Sequence, residues 1–86
     1  MEKLTVEDFK LGLRAARTYE ELHPGSVITD DLFSGKNTWE ILAVAKKPST
    51  VESYREFVVS DEYDDMLDIA PKVIEKLYAD ITPKKD

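Results

Sequence analysis

One segment near the middle of the chain is apolar on both of its faces, so it has to lie in the interior of whatever fold it joins. It spans Thr38–Ala45 and has the sequence TWEILAVA. Aromatic and β-branched residues are common in strands, and a strand that is buried on both faces carries apolar side chains without strict alternation. The segment therefore predicts a central β-strand, with Leu42 and Val44 on one face and Trp39 on the other.

Two weaker strand candidates flank this segment. Residues 26–29 are brief, whereas residues 52–60 alternate more clearly and end in an apolar run at Phe57-Val58-Val59. The polar residues 46–50 fit a hairpin loop between the second and third strands. Together these segments predict a three-stranded antiparallel meander with the most apolar strand in the middle.

Helices are predicted on either side of the sheet. Residues 5–22 carry an apolar stripe at spacings of three and four residues and end at His23-Pro24-Gly25. Asp61–Ile81 has the same helical periodicity, and residues 82–86 follow as a frayed polar tail. Pro71 removes a backbone hydrogen bond and crowds the preceding turn, so we expect the second helix to be kinked or split there. The predicted fold is α+β, in the order α-β-β-β-α.

Length and composition narrow the class of protein. Residues 1–86 are expected to form a single small domain, and the absence of cysteine excludes disulfides and thiolate metal ligands. There is no signal-peptide pattern and no run of about 20 apolar residues, which favours a cytoplasmic protein without membrane association. The net charge of −6 disfavours nonspecific nucleic-acid binding, because phosphate contacts require a positive field.

Acidic residues are concentrated where the C-terminal helix is predicted to begin. Five carboxylates occur within eight residues: Asp61, Glu62, Asp64, Asp65 and Asp68. No metal site is predicted, because the glycine and terminal glutamate of a calcium loop are missing. Negative charge at a helix N-terminus is stabilised by the helix dipole, which is the simpler interpretation. The alternative is a surface that binds a basic partner.

Basic residues recur along the first predicted helix. They lie at spacings of four and three: Lys10, Arg14 and Arg17. With the pair Lys46-Lys47 in the hairpin loop they form a candidate phosphate-binding surface. Glutamates three or four residues away favour a face covered by salt bridges instead: Glu7, Glu20 and Glu21.

Apolar residues at two places are candidates for partner binding. Leu32 and Phe33 lie in a polar connection, where they either pack on the core or anchor a partner. Leu42, Val44 and Tyr54 share a face of the predicted sheet. If both helices cover the opposite face, this one stays exposed, and soluble monomers rarely tolerate a large apolar patch. Self-association or a second protein would then cover it.

No residues combine a nucleophile, a base and an oxyanion site at a recognisable spacing, and no cofactor motif is present, so an enzyme is not predicted. We expect a small acidic protein-interaction module, such as an inhibitor, an adaptor or a regulatory accessory protein. It would act through the acidic start of the C-terminal helix and part of the sheet. One alternative is a nucleic-acid mimic that occupies the basic site of a nucleic-acid-binding protein. Another is a weak nucleic-acid binder that uses the basic residues of the first helix.

Overall fold

A computed structural model of the protein describes residues 4–81, and this part of the chain is helical. A short 3₁₀ helix, Val6–Asp8, comes first. Five α-helices follow within the described residues: α1 Leu13–Leu22, α2 Ile28–Ser34, α3 Thr38–Ala45, α4 Val51–Val58 and α5 Asp61–Ile81. They pack as a small bundle around one core. The predicted tail at 82–86 lies outside the described residues.

The predicted α+β class and its three-stranded sheet are wrong. Residues 26–29 lead into α2, the predicted central strand is α3, and residues 52–60 contain most of α4. Within the described residues, β-type pairing is limited to one isolated antiparallel bridge between Phe9 and Lys46. The predicted hairpin loop is the connection between α3 and α4.

α3 lies at the centre of the bundle. It contacts each of the other four α-helices, and residues 41–45 are all buried. A helix that is covered on every side is apolar all round and shows no stripe. The lack of helical periodicity in TWEILAVA is therefore explained by the central position of the helix. In a sequence window this short, a buried helix and a buried strand show the same apolar pattern.

α4 begins with a reciprocal cap that the strand interpretation missed. The backbone N–H of Ser53 donates to Thr50 Oγ1 at 3.0 Å, and the N–H of Thr50 donates to Ser53 Oγ at 3.0 Å. This capping arrangement satisfies two amide groups at the helix start. Phe57 on the buried side of α4 packs edge-on against Phe9 and Tyr63.

α1 is shorter than predicted at its start and ends where it was predicted to end. The N–H of Thr5 donates to Asp8 Oδ2 at 2.9 Å, so Thr5 begins the 3₁₀ turn and not α1. Phe9 is then extended and fully buried, and the chain reaches α1 through Gly12, its N-cap. The helix terminates at His23, which confirms the stop signal.

α5 has the predicted bounds. It runs through Pro71 without a break, so the alternative of two separate helices is wrong. Its buried residues lie at helical spacing: Met66, Ala70, Val73 and Leu77. No helix in the described part of the chain combines the length and hydrophobicity needed to cross a bilayer.

Candidate functional site

An open groove of about 490 Å³ lies between the start of α1 and the α3–α4 connection. Its ionisable lining residues are all basic: Lys10, Arg14 and Lys47. Gly12, Leu13 and Pro48 are among the remaining lining residues, and no carboxylate of residues 4–81 lines the groove. We call it the cationic groove. It is formed by two stretches that are separated in the sequence, residues 10–15 and 47–49.

Backbone hydrogen bonds fix these two stretches against each other. The N–H of Lys10 donates to the carbonyl oxygen of Ala45 at 3.0 Å, and the N–H of Lys47 donates to that of Asp8 at 2.8 Å. These bonds flank the bridge between Phe9 and Lys46. Lys10 and Lys47 are therefore carried on paired backbone segments.

The α3–α4 connection is also bonded to α1. Thr18 Oγ1 donates to the carbonyl oxygen of Ser49 at 2.7 Å, and Ser49 Oγ donates to the carbonyl oxygen of Ala45 at 3.3 Å. Both side chains are buried. Ser49 has a φ of 64°, in the left-handed region that non-glycine residues rarely adopt. The connection thus has a fixed path, which keeps Lys47 beside Arg14.

The first turn of α1 faces the groove. Gly12 has no side chain that could accept a hydrogen bond from the first amides of the helix. The first intrahelical bond runs from the N–H of Ala16 to the carbonyl oxygen of Gly12. The positive end of the helix dipole therefore adds to the field of the basic side chains. The stem of Lys10 crosses Gly12, since a Cβ atom placed there would lie 3.6 Å from Lys10 Cε.

The salt bridges predicted along helix 1 are not formed. Among the described residues, ion pairs within 4.0 Å join His23 to Glu40 and Lys76 to Asp80. The basic residues of α1 and the segment before it take part in neither pair, so their charges remain available to an anionic ligand. Arg17 lies outside the cationic groove, in an adjacent depression.

The two lysines of the α3–α4 connection point to different sides. Lys46 Nζ lies 5.5 Å from the ring centroid of Phe57 and donates to the carbonyl oxygen of Lys47 at 3.2 Å. It lines a second depression with Pro48, Glu56 and Glu62. We call this the α4–α5 depression. The structure therefore brings only Lys47 of the pair to the cationic groove.

The five acidic candidates do not converge on one site. Each of them is exposed and none takes part in an ion pair of the described residues: Asp61, Glu62, Asp64, Asp65 and Asp68. Glu62 borders the α4–α5 depression, whereas Asp65 and Asp68 border a different one beside Leu4. Among the residues described, no group of three or more side chains could hold a metal ion.

Most of the apolar candidates are not available to a partner. Leu32, Leu42 and Val44 are buried in the core, so they offer no exposed surface to a partner in this fold. Tyr54 is half-buried, and burial raises the pKa of its phenol. Phe33 is 60% exposed, although its ring packs against Tyr78 with centroids 5.4 Å apart. The described residues form no sheet, so the apolar sheet face that predicted self-association is not present among them.

A polar cluster between α1, α2 and α3 escaped the sequence prediction. Tyr19 Oη donates to Asp31 Oδ2 at 2.5 Å and accepts from Asn37 Nδ2 at 3.0 Å. His23 pairs with Glu40, and its ring lies 5.1 Å from that of Tyr19. Burial raises the pKa of Tyr19, and its hydrogen bond to Asp31 adds to the shift. The cluster joins three helices, and no spacing in the sequence indicates it.

The cationic groove offers positive charge to a ligand. Basic side chains and free helix amides can hold carboxylate or phosphate groups. Among the described lining residues, the one hydroxyl group belongs to Ser49, which is buried and already donates to a backbone carbonyl. No protein-family model, curated protein or solved structure matches the chain.

Proposed function

We propose that this protein is a non-enzymatic interaction module whose cationic groove binds an acidic segment of another protein chain. One observation carries the proposal. Lys10 and Arg14 come from one stretch of the chain and Lys47 from another, and they line one groove to which the described residues contribute no carboxylate, in a chain of net charge −6. Such a local positive field favours an anionic ligand.

The surroundings of the groove favour an acidic peptide over a nucleic acid. The next depression along α1 places Glu21 and Glu52 beside Arg14 and Arg17, so the positive field does not continue in that direction along a phosphate backbone. Within the described part of the chain, no aromatic side chain lines the groove to stack with a base. Leu13, which is 75% exposed, and Pro48 instead offer apolar contacts beside the charges. A peptide with both acidic and apolar residues matches this surface.

The acidic start of α5 is a second candidate surface. It is favoured by the exposure of all five carboxylates and by the absence of ion pairs to them among the described residues. Its ligand would be a basic partner protein, or a nucleic-acid-binding protein whose basic site accepts the acidic surface as a mimic of nucleic acid. Reversing the charge of Asp61 and Asp64 tests it, since an unchanged affinity for such a partner would dismiss this surface.

Fluorescence anisotropy with a short labelled peptide of glutamate and leucine tests the groove. We expect Arg14→Glu and Lys47→Glu each to weaken binding by about tenfold or more, because a charge-assisted hydrogen bond contributes about 1.5–3 kcal/mol. Lys36→Glu is the matched control, because Lys36 is exposed and does not line the groove. Equal affinities for all variants would contradict the proposal. Tighter binding of a single-stranded oligonucleotide, lost in the same variants, would assign the groove to nucleic acid.

A further inference from the structure

Pro48 separates two surfaces of opposite charge. On one side lies the cationic groove, and on the other lies the α4–α5 depression with the carboxylates of Glu56 and Glu62. Lys46 also lines the depression, but its ammonium group is engaged by the carbonyl oxygen of Lys47 and lies near the face of Phe57. Unpaired positive and negative groups thus flank one residue.

This arrangement is self-complementary. A two-fold axis that runs along the border at Pro48 places the cationic groove of one copy against the α4–α5 depression of the other, and it does so twice. Closed dimers use such an isologous interface, in which each patch meets its complement in the second copy. Resting on the proposed function, we propose that the acidic segment bound by the groove is the α4–α5 depression of a second copy of this chain, with its carboxylates Glu56 and Glu62.

Apolar exposure follows the same pattern. Leu13 is 75% exposed on the cationic side, and Val59 is 84% exposed next to Ser60, which lines the α4–α5 depression. These two are the most exposed large apolar side chains among the described residues. In the proposed dimer, each side of the interface therefore presents an apolar group beside its charges, as protein interfaces commonly do.

Salt separates this dimer from other modes of self-association. Two copies of net charge −6 repel each other over long distances, and salt relieves that repulsion. Local pairing of opposite charges is instead weakened by salt. The dimer should therefore dissociate as the salt concentration rises. An assembly held by apolar contact alone would become tighter.

Sedimentation of two charge-reversed variants tests the pairing. The groove variant carries Arg14→Glu and Lys47→Glu, and the depression variant carries Glu56→Lys and Glu62→Lys. The native chain should dimerise at low salt. Each variant alone should be folded by circular dichroism. It should sediment as a monomer, because like charges then face each other. An equimolar mixture should form a heterodimer, since both contacts become complementary again.

Three results would each overturn the dimer. The native chain could be monomeric at every concentration, its association could strengthen with salt, or the two variants could fail to associate on mixing. Binding of the glutamate–leucine peptide distinguishes failure of the dimer proposal from failure of the proposed function. A monomeric chain that binds the peptide retains the function of the groove and loses the second copy as its ligand. A chain that neither dimerises nor binds the peptide loses both.

Discussion

The hydroxyl of Thr18 donates a 2.7 Å hydrogen bond to the carbonyl oxygen of Ser49, which lies 31 positions further along the chain. Both residues are buried, and the bond joins α1 to the α3–α4 connection. Arg14 lies four positions before Thr18 in α1, and Lys47 lies two positions before Ser49 in the connection. The geometry of the cationic groove therefore depends on a contact that is not itself charged.

Replacing Thr18 by valine should destabilise the fold. The variant keeps the shape of the side chain but leaves a buried carbonyl oxygen without its donor, at a cost of about 1–3 kcal/mol. Urea denaturation measures the loss. Thr29→Val is the control, because Thr29 is half-buried without a side-chain hydrogen bond in the described structure, and its change should stay within about 0.5 kcal/mol. Equal losses would mean that the bond to Ser49 does not hold the connection.

Leu42→Ala distinguishes a core position from an interface position. Leu42 is fully buried in α3, and a cavity at such a site costs about 2–5 kcal/mol. Val59→Ala, at a largely exposed position, should change the free energy of unfolding of the monomer by no more than about 0.5 kcal/mol. Thermal or urea unfolding at high salt provides the comparison. A small loss for Leu42→Ala would place this residue at the surface and contradict the central position of α3.

Pro71→Ala should stabilise the protein. α5 is continuous through Pro71, so alanine restores a backbone N–H inside the helix and has a helix propensity about 3 kcal/mol better. Proline also restricts the unfolded chain, which reduces the net gain to about 2 kcal/mol. Pro71→Gly should gain less, because glycine restores the N–H but disfavours helix. Loss of stability in Pro71→Ala would show that the helix needs a break there.

Stability should decline above about pH 10 because of Tyr19. Burial raises the pKa of Tyr19 above its ordinary value of 10.0, so the unfolded chain releases the phenolic proton at a lower pH than the folded chain. The stabilisation is complete below pH 10.0 and is lost as the pH rises through the folded-state pKa. Urea denaturation across this pH range should show a shallower decline for Tyr19→Phe than for the native chain. Parallel curves would remove Tyr19 as the cause.

Residues with a regular surface periodicity were predictable. The stripe and acidic start of α5 define its bounds, and Pro24 with Gly25 ends α1. Hydrophobic periodicity did not identify α3 as a helix, because a helix buried on all sides has no polar face and therefore shows no period. In α4 the run Phe57-Val58-Val59 imitates a strand, although only Phe57 of the three is buried.

The residues of the candidate site could be listed from the sequence, but their common location in one groove could not be predicted. Lys10, Arg14 and Lys47 are basic in the sequence, but their meeting depends on the backbone bonds between the stretch before α1 and the α3–α4 connection. The same connection sends Lys46 and Lys47 to different sides. No local pattern encodes that divergence, because it follows from tertiary packing.

Chemical-shift mapping of the isotopically labelled chain with the unlabelled glutamate–leucine peptide tests the groove most directly. We predict that the amide signals of Leu13, Arg14, Ala15 and Lys47 shift together and saturably, because these residues line the groove and the first-turn amides of α1 lack side-chain acceptors. The amide of Lys36 should stay in place. Shifts confined to α5 or to the aromatic surface around Phe33, with the groove signals unmoved, would contradict the assignment of the groove as the binding site.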